Sequence, residues 1–426
     1  MNQAVGSQRA TLRVGRNAAA RLSAQVGTKL LSLLLVALVT RYEGSAGLGR
    51  YVLITTIVGL TAAVSDLGLG TFLTREVARE RSATGRRVLL GNLLPLRMAS
   101  AALGTGLLLV LTWVPIFPGG IRRLFSLGAL YLLPNASMAI LGSFVTGRQR
   151  MDVTSFIDVV ARTLTLAGAV PALAAGLGVF GVLACTAAAD GVGVLVYCAV
   201  LRRWQLLPRL RLAPTEWPSI LSDAYPFAMT SIIAIAYRRL DIVLLSAWQG
   251  DAAAGQYGAA YKLWDAVGLV PASLLDAMFP EMMRLAREPR GHQLLGRIVR
   301  RIGPLLLVGG LLLSVVSTVL AGTLMPMVYG RAQVSGAAVT AFRIQVWAIP
   351  AMFLYLLNGH ALYALGRQRW VTAAMAFVGL ANVGLNVLVI RRWSAIGVSV
   401  VALFSAWLLW ALLSALAGRA LRREQQ

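Results

Sequence analysis

Charged side chains are scarce in this chain. They make up 13% of its 426 residues, whereas an ordinary soluble domain is roughly one quarter charged. Hydrophobic residues account for 58%, and the mean hydropathy is +0.73. This composition excludes an ordinary soluble domain and is typical of an integral membrane protein.

Cysteine and histidine are also rare, with two of each. Cys185 and Cys198 lie in one apolar segment, and their spacing fits neither a metal-binding motif nor an exposed disulfide. We predict that both are inert core residues and that the protein holds no metal and no cofactor. His360 is predicted to be a helix-contact residue rather than a proton relay.

Apolar runs of about 20 residues, the length that spans a bilayer, recur twelve times. The predicted membrane helices are residues 22–40, 51–74, 88–113, 121–146, 153–175, 178–201, 220–246, 252–280, 298–322, 341–365, 370–390 and 394–418. We therefore predict an all-α polytopic membrane protein with about 12 transmembrane helices. The basic N-terminus and first apolar run lack a clean cleavage site and are predicted to be retained as the first helix.

The basic residues follow the predicted topology. The N-terminus, every second loop and the C-terminal tail hold 26 of the 40 Lys and Arg residues, and the intervening loops hold eight. This alternation predicts that both termini are cytoplasmic. It explains the net charge of +24 without nucleic acid, and it favours contact with anionic lipid heads.

The two halves of the chain share short matches in the same order. Gly147-Arg148-Gln149-Arg150 matches Gly366-Arg367-Gln368-Arg369, and Gly49-Arg50-Tyr51 matches Gly255-Gln256-Tyr257. An even number of helices per repeat keeps the copies parallel. We predict two parallel six-helix repeats around a central cavity, with an N-terminal lobe at 1–205, a cytoplasmic linker at 206–219 and a C-terminal lobe at 220–426.

Six basic residues lie inside the predicted spans, where a charge costs roughly 2.5–3.5 kcal/mol and usually faces a protein interior. They are Lys29, Arg97, Arg162, Arg238, Arg239 and Lys262. Three have an aspartate at helical spacing and can be paired locally, in Asp158–Arg162, Arg238–Asp241 and Lys262–Asp265. Seven acids in the spans bring the membrane region close to neutral.

Lys29, Arg97 and Arg239 have no acid at helical spacing. Each can hold a phosphate or pyrophosphate, although Lys29 and Arg239 can also extend toward the membrane surface. Together with Lys262 and Arg162 they are the predicted substrate-binding residues.

Asp66 and Asp190 are two acids in the spans without a partner at helical spacing. A buried carboxylate can take up a proton or bind a cation during transport. They are therefore the candidate ion-coupling residues, with an interhelical bond to one of the lone bases as the alternative.

An ordered set of short motifs resembles a known family, the polysaccharide-biosynthesis and O-antigen-type flippases of the multidrug/oligosaccharidyl-lipid/polysaccharide (MOP) exporter superfamily. In the first half these motifs are Arg41-Tyr42-Glu43-Gly44, Gly49-x-Tyr51 and Asp66-Leu67-Gly68-Leu69 followed by Arg75-Glu76. In the second half they are Pro226-Phe227, Asp241-Ile242, Gly255-x-Tyr257-x-x-Ala260, Phe279-Pro280 and Asn382-x-x-x-Asn386. Arg391-Arg392-Trp393 departs from the turn that many relatives carry there.

The resemblance implies a flippase in the inner membrane of a bacterial cell. Such proteins move polyprenyl-(pyro)phosphate-linked oligosaccharides to the outer leaflet by alternating access, for cell-surface polysaccharide assembly. It also implies that Lys29 and Lys262 lie in helices where relatives carry cavity cations, and that a proton or sodium ion can be coupled.

Three alternatives remain open. A cation-coupled multidrug antiporter of the same superfamily would use Asp66 or Asp190. A sugar-phosphate antiporter of the other common twelve-helix fold is disfavoured by the loop Arg75–Arg81, which lacks its Gly-x-x-x-Asp-Arg-x-Gly motif. A membrane glycosyltransferase or polymerase would need acids on outer loops, where only Glu43 and Asp251 occur. We therefore expect no enzymatic activity.

Overall fold

The computed structural model describes residues 2–111, 113, 119–288 and 290–422, and all regular structure within these ranges is helical. The helices are α1 (Asn2–Asp66), α2 (Leu69–Arg79), α3 (Ala83–Leu111), α4 (Gly119–Gly147), α5 (Met151–Ala174), α6 (Gly178–Arg203), α7 (Trp217–Gln249), α8 (Asp251–Val267), α9 (Leu269–Leu285), α10 (Gly291–Tyr329), α11 (Gly336–Gln345), α12 (Ile349–Ala364) and α13 (Gln368–Arg422). Short 3-10 turns at Arg331–Gln333 and Val346–Ala348 flank α11.

The predicted fold class, an all-α polytopic membrane protein, is confirmed. Within the described ranges, nine stretches are long and apolar enough to cross a membrane. Two of the longest helices contain a backbone break, at Gly44 in α1 and at Ser394 in α13, where neighbouring predicted spans meet. The count of 12 crossings and their arrangement in two repeats remain predictions.

One predicted span is interrupted. The segment 51–74 crosses a break at Leu67 and Gly68, whose φ angles are 52° and 76°, so that α1 ends and the amphipathic α2 begins there. Asp66 stabilises the new start by accepting a hydrogen bond from the Gly70 backbone N–H at 3.3 Å. Hydropathy alone missed this break because the residues on both sides are apolar.

The helices form two compact units. Unit 1 comprises Met1–Leu35 and Ile54–Ile232, and unit 2 comprises Val36–Leu53 and Ile233–Gln426. The end of the first predicted span and the start of the second therefore pack with the C-terminal half of the chain. The predicted lobe boundaries are untested by this division.

In unit 1, the apolar face of α2 packs into a cluster contributed by α3, α4, α5 and α6. Its buried members include Leu69, Phe72, Leu73, Val77, Leu90, Leu93, Ile140, Phe144, Ile157, Tyr197 and Leu201. Most of the polar groups of α2 are left on its other face. The last residues of the predicted second span thus belong to a separate helix, which packs against the cluster with one face.

The predicted linker lies along α3 in unit 1. Arg211 donates its backbone N–H to the Gly91 carbonyl at 3.0 Å, and a Cβ on Gly91 would lie 2.3 Å from the Arg209 carbonyl oxygen. Asn92 donates to Glu216 at 2.5 Å. The glycine therefore lets an extended chain lie directly against a helix backbone.

In unit 2, a hydrogen-bond chain joins the two parts of α13 across the break at Ser394. Asn386 donates to Asn382 at 2.9 Å, and Asn382 donates to Ser405 at 2.9 Å. Both asparagines are buried. The asparagine pair therefore bonds the two helices of α13 together.

Gly68 offers a test of close packing in unit 1, with Gly176 as a matched control because both have φ of 76°. A Cβ on Gly68 would lie 2.3 Å from the Ala224 carbonyl oxygen, whereas one on Gly176 would meet nothing within 4 Å. We expect Gly176→Ala to cost roughly 1–2 kcal/mol, the strain of a left-handed L-residue, and Gly68→Ala to cost at least twice as much. Thermal unfolding in detergent measures both, and equal losses would contradict the packing role.

Candidate functional site

A polar cavity of about 550 Å³ lies within unit 1. Its lining comes from α1, α2, α4, α5 and α6, and consists of Thr28, Thr74, Asn135, Met138, Ala139, Gly142, Ser143, Thr146, Met151, Thr154, Ser155, Asp158, Ala161, Arg162, Asp190 and Tyr197. Most of these side chains are polar, although the helices that carry them are apolar overall. The volume lies within the roughly 300–1,000 Å³ of small-molecule sites.

Small residues bring the walls of the cavity together. A Cβ on Gly142 of α4 would lie 3.0 Å from the Tyr197 hydroxyl of α6. A Cβ on Gly193 of α6 would lie 3.0 Å from the Met138 sulfur of α4. Each glycine therefore admits a large side chain from the neighbouring helix, and the polar groups between them face one space.

Three charged residues line the cavity: Asp158, Arg162 and Asp190. Their formal charges sum to −1 because two carboxylates accompany one guanidinium. Asp190 is 5% exposed and accepts a hydrogen bond from Asn135 at 3.1 Å. The same amide nitrogen donates to the Tyr131 hydroxyl at 3.0 Å, so Asn135 links α4 to Asp190 on α6.

The structure brings two of the predicted site residues, Arg162 and Asp190, into this cavity. Arg162 thus shares its surroundings with two acids, including Asp158, its predicted partner on α5. The sequence did not predict that Asp190 belongs to the same group, because α6 approaches α5 only in the folded protein. Substrate binding and ion coupling remain predictions for these residues.

Arg97 and Asp66 form a second group, and neither of them lines the cavity. Arg97 is 1% exposed, and its Nε lies 3.4 Å from Asp66 Oδ1. Its Nη1 donates to the Ser65 carbonyl at 2.9 Å and contacts the Ser65 and Ser100 hydroxyls at 3.3 and 3.5 Å. The base that the sequence left without a partner on its own helix therefore has one on α1, as the alternative for Asp66 anticipated.

The other predicted phosphate ligands lie in both units. Lys29 is half-buried on α1 in unit 1, next in sequence to the cavity-lining Thr28. In unit 2, the Arg239 guanidinium lies 5.2 Å from the centre of the Tyr261 ring, and half-buried Lys262 follows that tyrosine in α8. The contact is in the range of a cation–π interaction.

Asp241 illustrates a contact that the sequence missed. Its predicted partner was Arg238, whose side chain, like that of Asp276, lies outside the described residues. The pairing with Arg238 therefore stays a prediction, and the buried Asp241 accepts hydrogen bonds from the Tyr257 hydroxyl and, at 2.8 Å, from the Ile242 backbone N–H. The sequence singled out Tyr257 only as part of a motif shared with the family, and that motif does not say which residue the tyrosine contacts.

The described residues include no group of three or more His, Cys, Asp or Glu side chains that could hold a metal ion. Cys185 and Cys198 are both free and half-buried.

A sequence model of one family matches most of the chain. Residues 14–286 match the family described as polysaccharide biosynthesis protein. The chain belongs to the polysaccharide biosynthesis protein family. No curated protein sequence matches it.

The fold of this family member is similar to the folds of solved transporters. A lipid II flippase MurJ in an inward closed conformation aligns with a TM-score of 0.75 at 10% identity, over 93% of this chain and 86% of that one. An inward-facing multidrug resistance MATE family transporter aligns with a TM-score of 0.77 at 14% identity, over 95% and 98%. A MOP superfamily transporter from Pyrococcus furiosus aligns with a TM-score of 0.68 at 12% identity, over 97% and 96%. The predicted family is confirmed by the sequence match, and the likeness to these transporters is one of fold.

The Arg97–Asp66 pair can be tested separately from any ligand. Arg97→Gln leaves a largely buried carboxylate without its ionic partner, which costs roughly 3 kcal/mol or more. Asp66→Asn in the same chain should recover part of that loss, with a coupling energy of roughly 0.5–3 kcal/mol. The unfolding free energies of the wild type, the two single variants and the double variant in detergent give this coupling energy.

Arg162→Gln is the control for this cycle, because Arg162 is exposed toward the cavity. It should change stability little. A native unfolding midpoint for Arg97→Gln would contradict a structural pair and return Arg97 to the candidate ligands.

Proposed function

We propose that the protein is a lipid-linked oligosaccharide flippase. It would move a polyprenyl-(pyro)phosphate-linked oligosaccharide from the cytoplasmic to the outer leaflet by alternating access, for cell-surface polysaccharide assembly. The match of residues 14–286 to the polysaccharide biosynthesis family supports this proposal most strongly. The fold likeness to a lipid II flippase agrees with it.

In this proposal the sugar part and the phosphate part of the cargo contact different residues. The cavity in unit 1 offers carboxylates, an amide, an arginine and several hydroxyls, which suit hydroxyl-rich sugars through hydrogen bonds. Its formal charge of −1 disfavours a pyrophosphate. We assign the phosphate instead to the basic residues Lys29, Arg239 and Lys262, while Arg97 supports the fold through Asp66.

The remaining parts of the proposal are topology and coupling. Both termini lie in the cytoplasm, and the basic cytoplasmic loops contact anionic lipid heads. Asp190 is the proposed coupling residue, because it is buried and lines the cavity beside Asp158. The coupling cation is a proton or a sodium ion.

A cation-coupled multidrug antiporter is the second candidate. The net negative cavity favours it, since organic cations are attracted to unpaired carboxylates. The fold likeness to a multidrug resistance MATE family transporter is equally strong. This function would place the drug in the cavity and leave the basic residues of α1, α7 and α8 without a cargo role.

Reconstituted vesicles distinguish the two candidates. A flippase should move a fluorescent polyprenyl-pyrophosphate disaccharide between leaflets faster than empty vesicles do, under a proton or a sodium gradient. An antiporter should instead expel a cationic dye under the same gradients. No acceleration of the lipid probe under either gradient would refute the proposed function.

Asp190→Asn tests the coupling role within the same assay. We expect it to abolish the dependence of lipid movement on the gradient, because a neutral amide cannot exchange a proton or bind a cation as a carboxylate does. Asp223→Asn is the matched control, since Asp223 is exposed and does not line the cavity. Equal gradient dependence in the two variants would contradict the assignment.

A further inference from the structure

Arginine side chains from three segments meet at one end of unit 1. The Arg148 guanidinium carbon lies 4.6 Å from the centre of the Trp204 ring, and that of Arg150 lies 5.2 Å from it. Both distances are in the range of a cation–π interaction. Trp204 itself packs against the apolar cluster of unit 1, so its ring is a rigid support for the two guanidinium groups.

Arg86 joins this pair through the end of α2. Its Nε donates to the carbonyls of Val77 at 3.3 Å and Glu80 at 2.8 Å. Gly147 brings the end of α4 to the same place, because a Cβ on it would lie 2.9 Å from the Val77 Cβ. Arg86 is therefore close enough to Arg148 for its charge to act on that guanidinium.

The charges of this cluster are only partly balanced. Arg150 donates to both carboxylate oxygens of Asp152 at 3.0 Å, and the charge of Glu80 acts on Arg86. Arg148 differs from the other two bases. Its Nη1 is buried and has no hydrogen-bond partner among the described residues. The structure therefore leaves one guanidinium of the three without an anion.

An anion at Arg148 would remove this imbalance. Burial, followed by the positive charges of Arg86 and Arg150, lowers the pKa of Arg148. An arginine nevertheless keeps its proton near neutral pH, so the repulsion remains as a free-energy cost in the folded protein. A phosphate offers oxygen acceptors to several guanidinium groups at once and forms charge-assisted hydrogen bonds with them. The cluster therefore matches a phosphate in charge and in hydrogen-bonding capacity.

The chain beside the cluster indicates the source of that phosphate. Arg87 of α3 donates to the Leu207 carbonyl at 3.2 Å and so bonds the predicted linker. In that linker Leu210 and Leu212 flank Arg211, and the two leucines are 68% and 75% exposed. Exposed leucines that alternate with arginine are typical of a segment at a bilayer surface, where the apolar side chains enter the lipid and the bases contact head groups.

We propose that this cluster binds the phosphate of an anionic phospholipid head group, with Arg148 as the central ligand. Arg86, Arg150 and Trp204 follow the second, fourth and sixth predicted spans, so all three lie in loops predicted to be cytoplasmic. A bound phosphate joins these loops, which are far apart in sequence. The site deepens the proposed contact of basic cytoplasmic loops with lipid heads and rests on it only for the choice of leaflet.

Lipid titration of the purified full-length protein in a neutral detergent tests the site. Phosphatidylglycerol should raise the thermal unfolding midpoint, because a ligand bound by the folded protein stabilises it, and zwitterionic phosphatidylcholine should not. Arg148→Gln should weaken the apparent affinity for phosphatidylglycerol roughly tenfold, the loss expected for one charge-assisted contact. Arg148→Lys keeps the charge but loses the planar fork, and it should weaken the affinity severalfold.

Arg367→Gln is the matched control. Arg367 occupies the position of Arg148 in the repeated Gly-Arg-Gln-Arg motif, and its guanidinium carbon lies 5.1 Å from the Trp370 ring centre. The control therefore also removes one charge and one cation–π contact, and we expect native affinity. Equal losses in the two glutamine variants would overturn the site, since attraction by total charge alone explains them. If Arg148→Gln does not fold, Arg148→Lys against Arg367→Lys gives the same comparison.

Inorganic phosphate separates two sources of the same anion. At millimolar concentration it should neither raise the unfolding midpoint nor displace phosphatidylglycerol. Stabilisation by inorganic phosphate that is lost in Arg148→Gln would overturn the lipid assignment and indicate a soluble ligand. The titration uses no lipid-linked sugar, dye or gradient. Native phosphatidylglycerol binding without movement of the lipid-linked sugar would refute the flippase alone, and such movement with unchanged affinity in Arg148→Gln would refute the site alone.

Discussion

Helices in hydrocarbon gain little from burying apolar side chains against each other, because lipid is equally apolar. Their association depends on how closely their backbones and polar groups approach. Glycine sets that distance throughout this protein. Gly68 contacts α7, and Gly91 lets the linker lie against α3. In unit 2, Gly49 of α1 and Gly255 of α8 each lie against a backbone carbonyl of the other helix. Each site brings backbone carbonyls against a position where any side chain would collide.

Close packing also restricts buried charges to places where polar groups surround them. Arg97 is almost fully enclosed, and it is tolerated because Asp66, the Ser65 carbonyl and two hydroxyls surround its guanidinium. Asp66 in turn holds the start of α2. The pair therefore joins α3 to the end of α1, and its carboxylate also bonds the start of α2. By contrast, Asp158, Arg162 and Asp190 line a cavity.

The sequence was most informative where a single segment carries the signal. Hydropathy predicted the all-α membrane fold, because an apolar run of spanning length is recognisable within one segment. The sequence failed where two segments meet. Arg97 and Asp66 are on different helices, as are Asp241 and Tyr257, so no spacing rule could pair them. The break at Leu67–Gly68 was missed within 51–74 because it depends on backbone angles and not on hydropathy.

In the candidate site, too, the sequence identified single residues but not the contacts between helices. Asp190 and Arg162 were both identified, but as members of different sites, since pairing along a helix gave Arg162 only Asp158. Folding adds a second carboxylate to the neutral Asp158–Arg162 pair, which brings the formal charge of the group to −1. A phosphate would have to overcome that field, whereas sugar hydroxyls gain hydrogen bonds from every member. The positive charge of the chain as a whole is not evidence for an anionic ligand in this cavity, because most basic residues lie outside the predicted spans, where their alternation predicts topology.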